Sequence, residues 1–312
     1  MYEFAIIGSG VTGYGAAMYG ARLEMRTVVV GDEEGGTITL TDEVSNYPGF
    51  IELTGTELAE KLKEHALDYP VHLESGRVID LFRCDEGCFY LVTESRTYLS
   101  RTVLIATGME DRELDVPGHD EFRNRGVSYC ALCDGPIFRD KAVAVVGGSD
   151  SAAKEALLLT KYCSKVYIIY RGDKIRPEPI NAERVEKSDK IEVITNTNVT
   201  EILGDRSVSG VKLDNPYNGS DTLKVDGVFI AIGGIPNSEL AKKIGVKVND
   251  KDEIIINRKS KTNVEAVFAA GDVVDTEFKQ AITGVAEGVH AAYQAYRYVN
   301  ENEFIYARQH KE

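Results

Sequence analysis

The sequence predicts an α/β protein built from two Rossmann-like, three-layer dinucleotide-binding domains, the second inserted into the first. Two glycine-rich turns support this prediction, one at Gly8-Ser-Gly10-Val-Thr-Gly13 and one starting at Gly147. Each turn follows a short apolar segment and precedes an alanine-rich one. Strands that alternate with helices in this way indicate parallel sheets with helices packed against them.

The two halves of this pattern contain the same elements in the same order. Each half has an opening strand, a glycine turn, a helix, a second strand, a β-meander and a closing strand that ends in glycine. In the first copy we expect strands at residues 4–8, 27–30, 88–93 and 102–108. In the second copy we expect them at residues 142–147, 165–169, 210–214 and 227–233.

The C-terminal part of the chain has an apolar strand that ends at Asp272 and a helical pattern from Gln280 to about Tyr298. It has no glycine turn of its own, so we expect it to complete the first domain. The first domain would then comprise residues 1–116 and 238–312, and the second residues 117–237. The turn sequences at 116–118 and 235–237, both of which contain proline, suit the two crossings between domains.

Composition restricts the class of protein and its partners. The chain has 312 residues, of which 43% are hydrophobic and 28% charged, as is ordinary for a globular protein. A net charge of −14 disfavours nucleic acids and anionic membranes as partners. No apolar run approaches the roughly 20 residues that span a bilayer. Because the chain enters a strand at once, no signal peptide fits, and we expect a cytoplasmic protein.

The first glycine turn has the spacing of a pyrophosphate-binding loop. Gly8 permits the tight turn, Gly10 lets the backbone approach the phosphates, and Gly13 lets helix and strand pack closely. The helix N-terminus then offers unpaired N–H groups and a favourable dipole to the phosphates. After the second strand, Asp32 or Glu33 would hydrogen-bond a ribose, although a solvated charged turn is an equal alternative.

Asp272 marks a second part of the same site. It follows an apolar strand and Gly271, and a glycine at this point favours the close approach of a ligand. Its carboxylate can accept hydrogen bonds from a sugar or ribitol hydroxyl. The alternative is an aspartate that caps the following helix.

Cys130-Ala-Leu-Cys133, placed between the two glycine turns, is the motif that carries the chemistry. Two cysteines at this spacing can form a redox-active disulfide, and the spacing often lowers the pKa of one thiol. A zinc site is the alternative, but no second Cys-x-x-Cys or His-x-x-x-His pair completes a tetrahedron, so no metal is expected.

The other three cysteines carry no predicted chemistry. Cys84 and Cys88 flank a hairpin turn, and we expect two free thiols there because cytosolic structural disulfides are rare. Cys163 should be a small buried apolar residue.

Together these residues resemble the low-molecular-weight thioredoxin reductases, a family of flavoenzymes, over nearly the whole chain. The most specific motif is Cys130-Ala-Leu-Cys133-Asp134 just before the second glycine turn. The other motifs are Gly8-x-Gly10-x-x-Gly13, Asn46-Tyr-Pro-Gly49, Ala106-Thr107-Gly108, Gly147-Gly-Ser-Asp-Ser, Phe268-Ala-Ala-Gly-Asp272 and Lys279-Gln280-Ala281.

The resemblance implies FAD in the first domain, NADPH in the second, and thioredoxin or a thioredoxin-like protein as the partner. It implies that Cys133 faces the flavin, that Cys130 attacks the partner disulfide and that Asp134 is the general acid/base. The implied FAD contacts are Gly8, Gly10, Gly13, Asp32, Glu33, Asn46, Ala106, Thr107, Gly108, Gly271, Asp272, Lys279, Gln280 and Ala281. The implied nucleotide contacts are Gly147, Gly148, Ser149, Asp150, Ser151, Arg171 and Arg176.

The resemblance further implies a homodimer in which one domain swings against the other about the two crossings. The dithiol and the nicotinamide belong to the same domain, so they must take turns at the flavin.

Two departures from the family pattern leave the electron donor open. Ser149 replaces a glycine where the backbone should approach pyrophosphate, and Gly172 replaces one of three arginines that hold the 2′-phosphate of NADPH. NADPH is the first expectation, with NADH, reduced ferredoxin or a deazaflavin as alternatives. A redox sensor or binding module without enzymatic activity is the third hypothesis.

Overall fold

The structure, a computed structural model, describes residues 1–302. Its first part contains seven strands and two helices. The strands are β1 (Tyr2–Ile7), β2 (Thr27–Gly31), β3 (Val71–Ser75), β4 (Val78–Arg83), β5 (Phe89–Thr93), β6 (Thr97–Ile105) and β7 (Met109–Asp111). The helices are α1 (Val11–Arg22) and α2 (Gly55–Leu67), with a 3₁₀ turn at Thr37–Leu40.

The middle part repeats this order of elements. Its strands are β8 (Val127–Ser128), β9 (Ala142–Val146), β10 (Lys165–Ile169), β11 (Ile191–Ile194), β12 (Val199–Gly204), β13 (Val208–Tyr217), β14 (Ser220–Leu223) and β15 (Gly227–Ile230). Its helices are α3 (Ala131–Asp134), α4 (Asp150–Leu159) and α5 (Pro179–Glu186), with a 3₁₀ turn at Gly135–Phe138.

The last part contains β16 (Gly234–Pro236), α6 (Glu239–Lys243), β17 (Val267–Ala269) and the long helix α7 (Ala281–Glu301). The helix expected from Gln280 to about Tyr298 is thus confirmed. In the described part of the chain no helix is both long and apolar enough to cross a membrane.

The chain divides into two compact units. Within the described residues, unit 1 comprises residues 1–110 and 235–302, and unit 2 comprises residues 111–234. Unit 2 is therefore inserted into unit 1, as the sequence predicts. The crossings lie in β7 and β16, which pair as a small sheet, a few residues before the expected boundaries after 116 and 237. Residues 303–312 of the expected first domain lie outside the described residues.

Unit 1 has three layers around a parallel sheet. The order β3-β2-β1-β6 is parallel, with β17 on the other side of β6, while β4, β5 and the start of β6 form an antiparallel meander. Alternate residues of β1 face opposite layers. Ala5 and Ile7 belong to the core against the meander, and Phe4 and Ile6 to the core against α1 and α7.

Unit 2 repeats the three layers. Its parallel sheet has the order β11-β10-β9-β15-β8, and β12, β13 and β14 form the meander. Ala144 and Val146 of β9 pack with the meander, and Val143 and Val145 pack with α4. Two Rossmann-like, three-layer units are therefore present.

The same backbone constraint starts both units. Gly8 has a φ of +115° and Gly147 a φ of +150°, conformations that L side chains rarely adopt. A Cβ at Gly8 would overlap the carbonyl oxygen of Ala106, and a Cβ at Gly147 would overlap that of Ala231. Both strand-to-helix turns thus require glycine for the same reason.

The hairpin cysteines differ from expectation. Cys84 and Cys88 form a disulfide, so the prediction of two free thiols is wrong. The β4–β5 turn explains it: the Cys84 N–H donates to the Cys88 carbonyl at 2.8 Å, and the Cα atoms lie 5.1 Å apart, within disulfide range. Cys163 is a buried free cysteine, as predicted.

Candidate active site

The turn between β1 and α1 is open to a ligand at one glycine and closed at the others. At Gly10, the N-cap residue of α1, an added Cβ would find its nearest heavy atoms 3.8 Å away. At Gly13 the same addition would overlap the Gly8 carbonyl. Gly10 therefore exposes backbone and the α1 N-terminus, whereas Gly8 and Gly13 shape the turn.

Four residues predicted for the flavin side lie together. The Asn46 side-chain amide donates to Gln280 Oε1 at 2.9 Å, although the two are far apart in sequence. Lys279 Nζ donates to the Asp272 carbonyl at 3.0 Å. Gln280 is the N-cap of α7, so Ala281 starts the helix, and its N-terminus carries a partial positive charge beside these groups.

Asp272 follows Gly271 after β17 and its side chain is exposed, so its carboxylate is accessible to a ligand hydroxyl. Partial desolvation by the surrounding protein raises the pKa of this carboxyl, and the Lys279 cation opposes that shift. Lys279 also forms an ion pair with Glu253 at 3.0 Å, which fixes its position.

Two residues near this site were not found from the sequence. Thr12 of α1 packs against Gly271, where an added Cβ would lie 2.8 Å from Thr12 Oγ1. Glu287 of α7 accepts the Gly271 N–H at 2.9 Å and the hydroxyl hydrogen bond of Thr276. They hold the Gly271–Asp272 turn against α1 and α7, and a tertiary contact of this kind leaves no local signal.

The remaining predicted positions of unit 1 surround the same turn. Asp32 and Glu33 are exposed after β2, and the Glu33 carbonyl accepts the Ser9 hydroxyl at 2.9 Å. Ala106 lies against Gly8, and the Thr107 hydroxyl donates to the Asn237 carbonyl at 2.7 Å. Gly108 has a φ of +66°.

These residues fit a flavin dinucleotide. The open backbone at Gly10 and the N-terminus of α1 suit pyrophosphate, and Asp272 suits the ribitol or ribose. The N-terminus of α7 suits the charge that develops on a reduced flavin ring.

The second glycine turn has the same backbone arrangement as the first, but Ser149 and Asp150 replace the small uncharged residues found there. Gly147 and Gly148 are buried, and Ser149 is the exposed N-cap of α4 without a side-chain capping bond. Asp150 lies in the first turn of α4 and Ser151 follows it, exposed.

Asp150 contributes a negative charge at this turn. Burial disfavours its ionisation, but hydrogen bonds from Asn181 and Lys154 lower the pKa of its carboxyl overall. The Glu178 N–H donates to the same carboxylate at 2.8 Å. Asp150 is therefore ionised at neutral pH.

The two predicted arginines lie beyond β10. Arg171 and Arg176 are both exposed, and the Arg176 N–H donates to the Gly148 carbonyl at 2.7 Å. The segment after β10 is thereby fastened to the glycine turn.

The dithiol lies in the same unit. Cys130 and Cys133 form a disulfide with Cα atoms 5.4 Å apart. Cys130 is the N-cap of α3, and its sulfur accepts the Cys133 N–H at 3.1 Å. An N–H directed at this sulfur would stabilise a Cys130 thiolate once the disulfide is reduced. Cys130 is only 9% exposed, whereas Cys133 is exposed.

Two carboxyl groups lie near the dithiol. Asp134, at the end of α3, is half-buried, and its N–H donates to the Cys130 carbonyl at 3.1 Å. Glu155 of α4, which was not predicted, accepts the Ala131 N–H at 2.6 Å. Burial raises the pKa of Glu155 to about 7, the Ala131 hydrogen bond opposes the shift, and the Asp111 charge adds to it.

A model of the pyridine nucleotide-disulphide oxidoreductase family matches residues 2–288. A thioredoxin reductase from Mycolicibacterium smegmatis is 40% identical over 307 residues, which cover 97% of this chain and 98% of that protein. A thioredoxin reductase from Listeria monocytogenes is 38% identical over 305 residues, covering 96% and 95%.

Solved structures show the same likeness. The crystal structure of Lactococcus lactis thioredoxin reductase in its FR conformation matches with a TM-score of 0.93 at 37% identity. The match covers 97% of this chain and 100% of that one.

Proposed function

Because the chain belongs to the pyridine nucleotide-disulphide oxidoreductase family, we propose that it is a thioredoxin-disulfide reductase. Electrons pass from NADPH through FAD and the Cys130–Cys133 pair to thioredoxin or a thioredoxin-like protein. The observation that carries this proposal is the Cys130–Cys133 disulfide, which lies in the second dinucleotide unit at the N-terminus of α3. Full-length relatives named thioredoxin reductase support it.

The chemistry at the dithiol is thiol–disulfide exchange. The Cys130 thiolate attacks one sulfur of the partner disulfide, forms a mixed disulfide and releases the other partner sulfur, which is protonated. Cys133 then loses its proton and attacks the Cys130 sulfur, which releases the second partner thiol and restores the Cys130–Cys133 disulfide. Two enzyme thiols are oxidised and one partner disulfide is reduced, so two electrons and two protons are transferred.

Two carboxyl groups serve this exchange in different ways. Asp134, next to Cys133, moves the proton between the leaving sulfur and the attacking thiol. Glu155 is a positioning residue, because it binds the Ala131 N–H at the first residue of α3 and so fixes the turn that holds Cys130.

Bound FAD supplies two-electron transfer between a nicotinamide and a disulfide. Gly10 and the α1 N-terminus would hold the pyrophosphate of this group, Asp272 would accept hydrogen bonds from its sugar or ribitol hydroxyls, and the α7 N-terminus would stabilise charge on its flavin ring.

Attack by Cys130 requires a conformational change, because its side chain is buried in this structure. We also propose that one unit rotates against the other about the crossings in β7 and β16, in a cytoplasmic homodimer, because the dithiol and the nicotinamide belong to the same unit and must take turns at the flavin. The family is defined by its use of a pyridine nucleotide, and this favours NADPH over ferredoxin or a deazaflavin as the electron donor. Arg171 and Arg176 would bind the 2′-phosphate of NADPH.

The test is turnover of thioredoxin by the FAD-loaded enzyme with NADPH, followed by insulin reduction. Cys130→Ser and Cys133→Ser should each abolish turnover, while Cys163→Ser, a buried thiol outside the relay, should leave it unchanged. Turnover that survives in either of the first two variants would contradict the proposal.

The donor is tested on the same enzyme by anaerobic titration of the bound flavin with NADPH, NADH and dithionite in parallel. Reduction by NADPH at lower concentration than by NADH is expected. Reduction by dithionite alone would shift the assignment to a ferredoxin or deazaflavin donor.

A further inference from the structure

The ring of Tyr170 lies directly against the second glycine turn. A Cβ added to Gly148 would overlap three ring carbons of Tyr170, and one added to Gly172 would lie 2.6 Å from its Cε1 and 3.1 Å from its hydroxyl. One edge of the ring therefore packs on the Gly148 backbone and the opposite end on the Gly172 backbone. The absence of a side chain at both positions is what admits the ring.

This position lies where a Rossmann-like unit holds the adenosine half of a dinucleotide. The pyrophosphate binds at the turn after the first strand, and the ribose binds at the end of the second. In unit 2 those points are the turn at Gly147–Ser149, after β9, and the segment from Tyr170 onward, after β10. The Tyr170 ring lies between the two.

Backbone hydrogen bonds fix the segment that carries this ring. The Tyr170 N–H donates to the Ile194 carbonyl at 2.8 Å, and the Tyr170 carbonyl accepts from Thr197 at 3.1 Å. The Gly172 carbonyl accepts from Asn196 at 2.8 Å. The ring can therefore leave the glycine turn by rotating its side chain, without a rearrangement of the strand end.

We propose that Tyr170 covers the second dinucleotide site and that its ring must rotate away before a nicotinamide nucleotide binds. Tyr170 thereby sets the affinity for NADPH and NADH alike, and Gly172 is present because the ring occupies the space of a side chain there. This inference rests on the proposed function, since it concerns the donor site of that enzyme.

Binding of oxidised nucleotide to the FAD-loaded enzyme tests the proposal without electron transfer. Isothermal titration with NADP⁺ and NAD⁺ should give a Kd about tenfold lower in Tyr170→Ala than in the parent, because the closed state no longer competes. Tyr170→Phe keeps the ring and should match the parent. Tyr167→Ala removes a ring of β10 that packs on Tyr217, away from the glycine turn, and its Kd should also match that of the parent.

Gly172→Ala provides a second test that leaves Tyr170 in place. The added methyl group displaces the ring without adding charge, so the Kd should again fall for both nucleotides. An unchanged or higher Kd in Tyr170→Ala, as expected if adenine stacks on the ring, would overturn the proposal. An unchanged Kd in Gly172→Ala would overturn it as well. Flavin content and circular dichroism verify that each variant is folded.

Failure of this inference can be told apart from failure of the proposed function. Enzyme reduced with dithionite and mixed with oxidised thioredoxin tests the dithiol relay without any nucleotide. If thioredoxin is reduced while the Tyr170 variants bind nucleotide no better, only the inference fails.

Discussion

Replacement of Glu155 by glutamine should change the pH dependence of stability in a defined direction. Glu155 lies half-buried on α4 and accepts the Ala131 N–H at 2.6 Å. Burial raises the pKa of its carboxyl from 4.5 to about 7 in the folded protein. Glutamine has the same shape and can still accept the Ala131 hydrogen bond, but it cannot ionise.

The magnitude follows from linkage between protonation and folding. Below pH 4.5 the Glu155 carboxyl is protonated in both the folded and the unfolded protein, so the free energy of unfolding carries no penalty for burying a charge. As the pH rises, the unfolded chain loses the proton first, and stability falls until the folded pKa of about 7 is passed. A shift of 2.5 pKa units, from 4.5 to about 7, corresponds to about 3 kcal/mol, reduced to about 2 kcal/mol because water partly screens the side chain.

The assay is thermal unfolding of the FAD-loaded protein at pH 5 and pH 8.5. The Tm of Glu155→Gln minus the Tm of the parent should be higher at pH 8.5 than at pH 5 by on the order of 5 °C. Glu183→Gln on α5 is the matched control, because Glu183 is an exposed partner of Lys187 and should show no such gain. A Tm difference between Glu155→Gln and the parent that stays constant with pH would refute the reasoning.

Three further predictions concern the cofactor and the cysteines. Asp272→Ala should lower FAD occupancy of the purified protein while unit 2 keeps its thermal transition, as measured by absorbance and calorimetry. Cys133→Ser should trap thioredoxin on Cys130 as a mixed disulfide visible on a non-reducing gel. If only Cys130→Ser formed such a mixed disulfide, through Cys133, then Cys133 and not Cys130 would be the thiol that attacks thioredoxin. The double replacement of Cys84 and Cys88 by serine should leave turnover unchanged and cost at most about 2 kcal/mol of stability, because the disulfide closes a very short loop.

The sequence by itself determined the architecture. Gly8 and Gly147 mark turns whose positive φ is a local requirement, so their spacing from the neighbouring strands was sufficient to locate both units. The repeated order of strand, turn and helix then predicted the insertion, because a C-terminal segment without its own glycine turn had to complete the first unit. Cys130 and Cys133 were found in the same way, since two thiols three positions apart can bond within a single turn.

Only the tertiary structure decided which distant groups meet. Glu155 binds the dithiol turn at Ala131, and Asn46 binds Gln280, through the packing of separate elements, which residue spacing does not encode. The Cys84–Cys88 bond depended on the pairing register of β4 and β5, which brings the two sulfurs to one side of the hairpin. The reason for Gly172 is also tertiary. The sequence shows only that an arginine of the family pattern is missing there, whereas the structure shows that the Tyr170 ring occupies the space of a side chain at that position.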